Sequence, residues 1–552
     1  MGKPTKKLRA IDLYSGVGGW SLGLRLAGIE VVASYELWGT ANETNFKNNH
    51  HQAQTVDIRR LSLDELPKRI DIVVGSPPCT QFSFSNRGGT GDIADGLRDI
   101  VKFLTIVDFL KPKAWAMENV PRAAKIINDE LKPGGRLRRF KHLNIATHVV
   151  NMEDFGIPQR RKRCIAGSFD FELLRSFSSQ LVKTTLGEIV SALNADPVID
   201  PMYRIEIGKR DLRDHVIEDY LNLEEVRINK SNKTIHPVYN KMPFPDPLNR
   251  SVRTITATCT RVSRESIVIR DSRKRATFRR LTIRERATLQ GFPVTFQFYG
   301  ASHAQKLRMV GNAIPPAFSF YIAQAFKGVQ PHKLPSIANT AKKMLTAVTP
   351  ATDVQPDRAG ANYPENRRFR FAIPSLRLKS GVRFELVNIF HRGSVGWRVN
   401  FYFGTSKSIH DLILDRAMYR RLLSGLPEFQ CKRIVSALSG LSEFIGDADI
   451  AHMQRLWSHR GLGRTRPFML LDKIDEVGAM VVRILMDHKT VSRSLVLKAV
   501  GFCYPGESEG VAGLNKLDRN APLILAGLLV GCITNIELTK KEGFALSSVR
   551  RA

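Results

Sequence analysis

The chain has little cysteine. Its six cysteines (Cys79, Cys164, Cys259, Cys431, Cys503 and Cys532) lie far apart in 552 residues, with no Cys-x-x-Cys pair and no histidines at ligand spacing. That scarcity argues against a disulfide framework and a structural zinc site, and it suits a reducing compartment. Acidic residues are also few: 52 Asp and Glu stand against 84 Lys and Arg, a formal net charge of +32. An excess that large attracts a polyanion, and nucleic acid is the commonest one. Long apolar runs are missing too. "MGKPTKKLRA" leads into a strand without a signal-peptide apolar region. "APLILAGLLVGCIT" falls short of the roughly 20 apolar residues that span a bilayer, so it reads as a buried helix or strand. A soluble, cytoplasmic protein is expected. There is no internal repeat.

What is present begins with size. At 552 residues the chain exceeds a single core, and two or three domains are expected. "LRAIDLYS", "IEVVASYEL", "IDIVVGS" and "AWAMENV" read as strands, with helical patterns such as "IADGLRDIVKFLTIVDFLK" between them. That alternation predicts an α/β fold with parallel crossovers and ligands beyond the carboxyl ends of the strands. The alternation fades over 171–250, which reads as an inserted small domain. It returns over 251–330, so residues 1–170 and 251–330 together form one domain. A Pro-, Asp- and Asn-rich linker follows over 331–368, then a further unit over 369–552 with a β-rich start and a helical remainder.

"DLYSGVGGW", Asp12 to Trp20, is a glycine-rich turn between a strand and a helix, suited to close backbone approach by a ligand. The next strand ends in Glu36, where nucleotide folds place a ribose-binding carboxylate, and a third strand end supplies Asp57 and Ile58, suited to an adenine amine and ring face. The full dinucleotide glycine pattern and a Walker lysine are lacking, so the adenosyl cofactor need not be NAD or ATP. In "GSPPCTQFS", Pro77 and Pro78 stiffen a turn that carries Cys79 just beyond an apolar strand. A thiol there is a strong nucleophile once deprotonated, and arginines nearby lower its pKa. "AMENVPR" ends another strand with Glu118 and Asn119, and "FGIPQRRKRC" adds Gln159, Arg160, Arg161, Lys162 and Arg163.

Together these blocks resemble the cytosine-specific, carbon-5 methyltransferases typified by bacterial modification methylases. "DLYSGVGGW", "YEL", "DI", "GSPPCTQFS", "MENV", "FGIPQRRKR", "RTITAT", "RRLTIRERATLQGFP" and "GNAIPP" occur in the family's order over about 10 to 327. The resemblance implies a Rossmann-like methyltransferase fold with a target-recognition insert, and S-adenosylmethionine as cofactor with no metal. It implies that Cys79 adds to carbon 6 of a cytosine flipped from duplex DNA. Glu118 would hold and protonate ring nitrogen 3, Arg163 would bind the base carbonyl oxygen, and Arg161 would support the site. Tyr14, Gly16, Val17, Gly19, Glu36, Leu37, Asp57, Ile58, Pro78, Asn312 and Ala313 match cofactor-contacting positions. The sequence departs from the family at Thr80-Gln81, where Gln-Pro is usual, and "DGLRDIVKF" matches its counterpart poorly. Either Leu37 or Trp38 faces the adenine.

The same resemblance places a target-recognition role, through the major groove, on 171–250. "RLRRFKH" and "RDSRKRATFRRLTIRER" suit phosphate contacts. The 369–552 unit matches no block of the family. Its "RGLGRTRP" and "AMYRRLL" fit a second DNA contact as well as a homodimer or partner-docking unit. The expected activity is DNA cytosine carbon-5 methylation in a bacterial or phage restriction-modification setting. The rivals are a transfer-RNA methyltransferase of the same fold, a DNA-binding scaffold without catalysis, and a nicotinamide-dependent oxidoreductase resting on the glycine turn alone.

Overall fold

Short apolar runs form the central strands of a seven-stranded sheet. In the computed structural model, which describes residues 7–78, 81–82, 92–234, 241–271, 277–344, 348–361, 363–378, 382–391, 394–404, 409–504 and 513–542, its strands are β1 (Arg9–Leu13), β2 (Glu30–Glu36), β3 (Ala53–Thr55), β4 (Ile72–Gly75), β5 (Ala114–Asn119), β6 (Ala146–Asn151) and, after the two-residue β7 (Gln159–Arg160), β8 (Lys162–Ser168). The order is β3-β2-β1-β4-β5-β8-β6. β1 to β5 run parallel, and β8 is antiparallel to both neighbours.

Successive side chains leave a strand on opposite faces, and here both faces are covered. Ile72, Val74, Ala116 and Ile165 join one core with α1 (Gly19–Leu26) and helix Pro316–Phe326. Ile11, Leu13, Val73 and Met117 join another with α3 (Ile93–Leu110), numbered after α2 (Gly39–Asn49). α3 buries Leu97, Ile100, Phe103, Leu104 and Val107, one stripe at spacings of three and four. A Cβ on Gly23 would stand 2.6 Å from the Pro316 carbonyl oxygen, so α1 and helix Pro316–Phe326 meet backbone to backbone. Residues after 251 thereby complete the layer over a sheet built by residues before 170.

The chain runs outward from β1 through β2 to β3, then returns to lay β4 on the other side of β1. That reversal opens a crevice beyond Leu13 and Gly75, which are partners in the β1–β4 register.

Leu186, Ile189, Leu193, Val198 and Tyr203, inside the expected insert, share the core of α1. Beyond them Arg261 reaches Glu218 (2.9 Å) and Glu225 (2.6 Å), while Arg280 reaches Glu218 (2.8 Å) and Asp357 (3.2 Å). Charges buried this deeply require such pairing. Asp357 lies in the stretch expected as a linker. That stretch contains helix Ile337–Met344, and its Ala351 N and Thr352 O bond to Gln297 (3.1 Å) and Lys306 (2.7 Å). The described residues divide into two compact units, one reaching Ala359 and one starting at Gly360.

The second unit pairs a four-stranded antiparallel sheet (Arg370–Arg377, Arg383–His391, Ser394–Gly404, Ile409–Leu412) with helices. The apolar run expected as a short buried element is part of the 22-residue helix Ala521–Glu542, because the polar residues after Thr534 continue the helix. By length and composition this helix could cross a membrane, yet 78% of its apolar window is buried in the protein. A Cβ on Gly527 would stand 2.2 Å from the Phe384 ring, which shows how closely the helix lies on the sheet.

Candidate active site

The crevice rim carries the residues expected to act on a substrate. Glu118, next to last in β5, lies opposite Ile165 of β8, and Arg163 lies two residues from Ile165 on the same face. The two-residue period therefore sets Arg163 diagonally across from Glu118. Arg163 Nε is 2.8 Å from Glu118 Oε1, and the side chains are 14% and 8% exposed. Asn119 faces the other way and donates from Nδ2 to the Pro77 carbonyl (3.1 Å). This bond fixes a turn whose prolines have no N–H to offer. Pro78 is exposed at the rim. Cys79 itself lies outside the described residues.

Arg161 is buried. It is 2% exposed and donates to the carbonyls of Ile255 (3.1 Å), Gly311 (3.0 Å) and Ala313 (3.3 Å). Gln159, equally buried, accepts from Ile255 N (2.8 Å). These two side chains stitch "RTITAT" and "GNAIPP" to the strand that carries Arg163, so Arg161 is placed to position others. Asn312 is exposed beside them.

On the other side of the crevice, Gly16 has φ +53 and a Cβ there would meet nothing within 4 Å, which leaves open room for a ligand. Gly16 N donates to Glu36 Oε2 (2.9 Å), and Trp38 N donates to Glu36 Oε1 (2.8 Å). The carboxylate thus holds the glycine turn and keeps lone pairs toward the crevice. Leu37 is 66% exposed, whereas Trp38 packs against the core under the Arg308 guanidinium, 5.0 Å from its ring centre. Of the two, Leu37 is the exposed side chain. Val17 is buried in the core, and a Cβ on Gly19 would stand 2.2 Å from the Ile314 carbonyl oxygen. Those two residues shape the turn from behind. Ile58 is also buried.

A polar network unseen in the sequence ties these loops together. Asp57 Oδ1 accepts from Arg59 N (3.0 Å), Arg59 bonds Asp99 through Nε (2.8 Å) and Nη2 (2.6 Å), and Tyr14 donates to Asp99 Oδ1 (3.2 Å). Burial, with the Asp99 charge beside it, pushes the Tyr14 hydroxyl well above its ordinary value, so it serves as a donor. Only the crowding of carboxylates around one arginine could have signalled it. Behind the turn, Asp12 accepts from Ser21 N (3.2 Å) and Oγ (2.7 Å).

A glycine turn and a carboxylate thus stand on one side of the strand reversal, with an acid–guanidinium pair and a Pro-Pro turn on the other. The model of the C-5 cytosine-specific DNA methylases matches residues 8–328. The chain belongs to that family. Among related proteins, the Type II methyltransferase M1.HphI of Haemophilus parahaemolyticus is 30% identical over 337 residues, 58% of this chain and 86% of that protein. M.FnuDI of Fusobacterium nucleatum is 28% identical over 337 residues, with 58% and 94% covered. A crystal structure of the S. pombe Dnmt2 methyltransferase covers 58% of this chain and 99% of its own, at 18% identity and a TM-score of 0.39. The part of this chain that matches the cytosine methylases ends within the first unit, and the second unit lies outside it.

Proposed function

We propose that this C-5 cytosine methylase modifies duplex DNA at a short recognition sequence, as the modification arm of a restriction-modification system in the cytoplasm. The pairing of Glu118 with Arg163 at the crevice rim carries this reading. A flipped cytosine presents ring nitrogen 3 and an adjacent carbonyl oxygen on one edge. A carboxyl held beside a guanidinium offers a proton to the first and a fixed donor to the second.

The Cys79 thiolate forms a bond to carbon 6 while Glu118 delivers a proton to nitrogen 3, so no negative charge accumulates on the ring. The electron pair displaced from the 5,6 double bond makes carbon 5 an enamine carbon. The Gly16 turn, Glu36, Leu37, Asp57 and the Asn312 segment would hold S-adenosylmethionine, which would supply the methyl group to carbon 5 and leave as S-adenosylhomocysteine. Loss of the proton from carbon 5 to a base then re-forms the double bond and expels the Cys79 thiolate, and the nitrogen 3 proton returns to Glu118. The open space at Gly16 and the exposed Leu37 are what such a ligand needs. Residues 171–250 read the flanking bases.

The deciding experiment offers tritiated S-adenosylmethionine with duplex DNA and, separately, transfer RNA. Label enters DNA alone, at one motif, and Cys79→Ala binds DNA and cofactor without turnover. DNA carrying 5-fluorocytosine at that motif stays covalently attached, because fluorine cannot leave as a proton. Label in transfer RNA, or turnover by Cys79→Ala, overturns the reading.

A further inference from the structure

The loop between helices Ile450–Trp457 and Pro467–Leu485 of the second unit contains two glycines packed closely against the helix before it. A Cβ on Gly461 would stand 2.7 Å from Arg455 Cβ, and one on Gly463 would stand 3.0 Å from Asp449 Oδ2 and Leu456 Cδ1. The loop therefore lies flat along the first helix. Asp449 N donates to Thr465 Oγ1 (3.1 Å), Arg460 N to Arg455 O (2.9 Å) and Arg460 Nη2 to Tyr363 O (3.3 Å). Phe468 closes the far end among Phe369, Phe371 and Trp457.

This anchored loop leaves Leu462 outside. At 93% exposure Leu462 is the most exposed large apolar side chain among the described residues. Exposed Arg460 and Arg464 flank it, and Arg455 and Arg466 are exposed close by in sequence. The carboxylates at hand are Glu365, 3.4 Å from Arg460, and Asp449. A single exposed leucine is ordinary on any surface. A leucine held out by a hydrogen-bonded loop, between two glycines packed on the preceding helix and two exposed arginines, is a shaped feature.

We infer that this loop is a minor-groove DNA contact, with Leu462 wedged against a base step and Arg460 and Arg464 on the flanking phosphates. Proteins that enter the minor groove combine arginines with an apolar wedge that partly unstacks the bases. Guanidinium forks match phosphate oxygens, and a loop already fixed loses little freedom on binding. One leucine buries too little apolar surface to anchor the chain on a lipid surface. The inference shares the DNA partner of the proposed function but adds a binding element that takes no part in methyl transfer.

The test uses the full chain and a duplex built only of A·T pairs, which offers no target cytosine. Arg460→Gln/Arg464→Gln should flatten the dependence of log affinity on log salt by about 2, at roughly 0.9 for each phosphate no longer neutralised. Leu462→Ala should keep that slope and abolish the bend that wild type imposes, read by energy transfer between end labels. Both variants should methylate a short cytosine-containing duplex at the wild-type rate when it is saturating. An unchanged salt slope in the double variant overturns the inference, as does wild-type bending by Leu462→Ala. So does an effect that appears instead in anionic vesicle binding or self-association. None of these outcomes depends on whether Cys79 attacks cytosine.

Discussion

Arg163 Nε lies 2.8 Å from Glu118 Oε1, across two antiparallel strands and nearly out of reach of water. In the proposed reaction the pair serves two tasks, proton transfer and binding of a carbonyl oxygen. Removing one partner leaves the other buried and uncompensated. Arg163→Ala is expected to lower stability by about 3–5 kcal/mol. Glu118→Gln keeps the volume and loses the proton donor, so kcat should fall by roughly 10²–10⁴ with cofactor affinity unchanged. Denaturant titration and steady-state kinetics on the two variants check this. Equal effects on stability would mean that Glu118 is only a counterion.

Gly16 and Gly19 sit three residues apart and should fail in different ways. Gly16 has a left-handed φ of +53 and open space, so Gly16→Ala costs about 1–2 kcal/mol of backbone strain and sets a methyl group into the crevice. Its main effect should be a raised KM for S-adenosylmethionine. Gly19→Ala drives a Cβ into the Ile314 carbonyl oxygen and should cost about 1–3 kcal/mol of stability, with the cofactor KM less affected. Thermal unfolding and cofactor titration separate the two.

The parallel half of the sheet was legible because β1, β2, β4 and β5 are apolar on both faces. The antiparallel β6–β8 pair was not, since Lys162 and Arg163 carry charge into a strand. The individual site residues stood out by motif, yet Glu118 and Arg163 meet only through that pairing. Composition marked the stretch after 331 as a linker, but its Asp357 serves a buried arginine, a role that depends on tertiary partners. Asp99 lies on α3, and no motif marks it in the sequence. It is 4% exposed, taken up by Arg59 and Tyr14.

Asp12 gives the fold a pH dependence. Its side chain is fully buried, Oδ1 has no partner among the described residues, and burial, with the nearby Glu36 charge adding, pushes the carboxyl up to about 7. The folded chain keeps a proton that the unfolded chain releases above about pH 4, so stability falls as pH rises from there to 7 and then levels. The loss is at most about 4 kcal/mol. Asp12→Asn still accepts from Ser21 and has no proton to release. Urea midpoints at pH 5 and 8 should differ less in this variant than in wild type. An identical difference would mean that Asp12 is ionised throughout.

Arg161 separates positioning from chemistry. Its guanidinium serves the carbonyls of Ile255, Gly311 and Ala313, and no methylene chain with a single ammonium reproduces that fork. Arg161→Ala strands three buried acceptors and should cost more than about 3 kcal/mol. Arg161→Lys, which restores one or two of the bonds, should recover part of that stability. In the lysine variant Asn312 and Ala313 are less firmly held, so KM for S-adenosylmethionine should rise more than kcat falls. If Arg161 instead touched the base, the lysine variant would be stable, bind cofactor normally and lose most of its kcat. Unfolding, cofactor KM and kcat measured on the same preparation decide between the two.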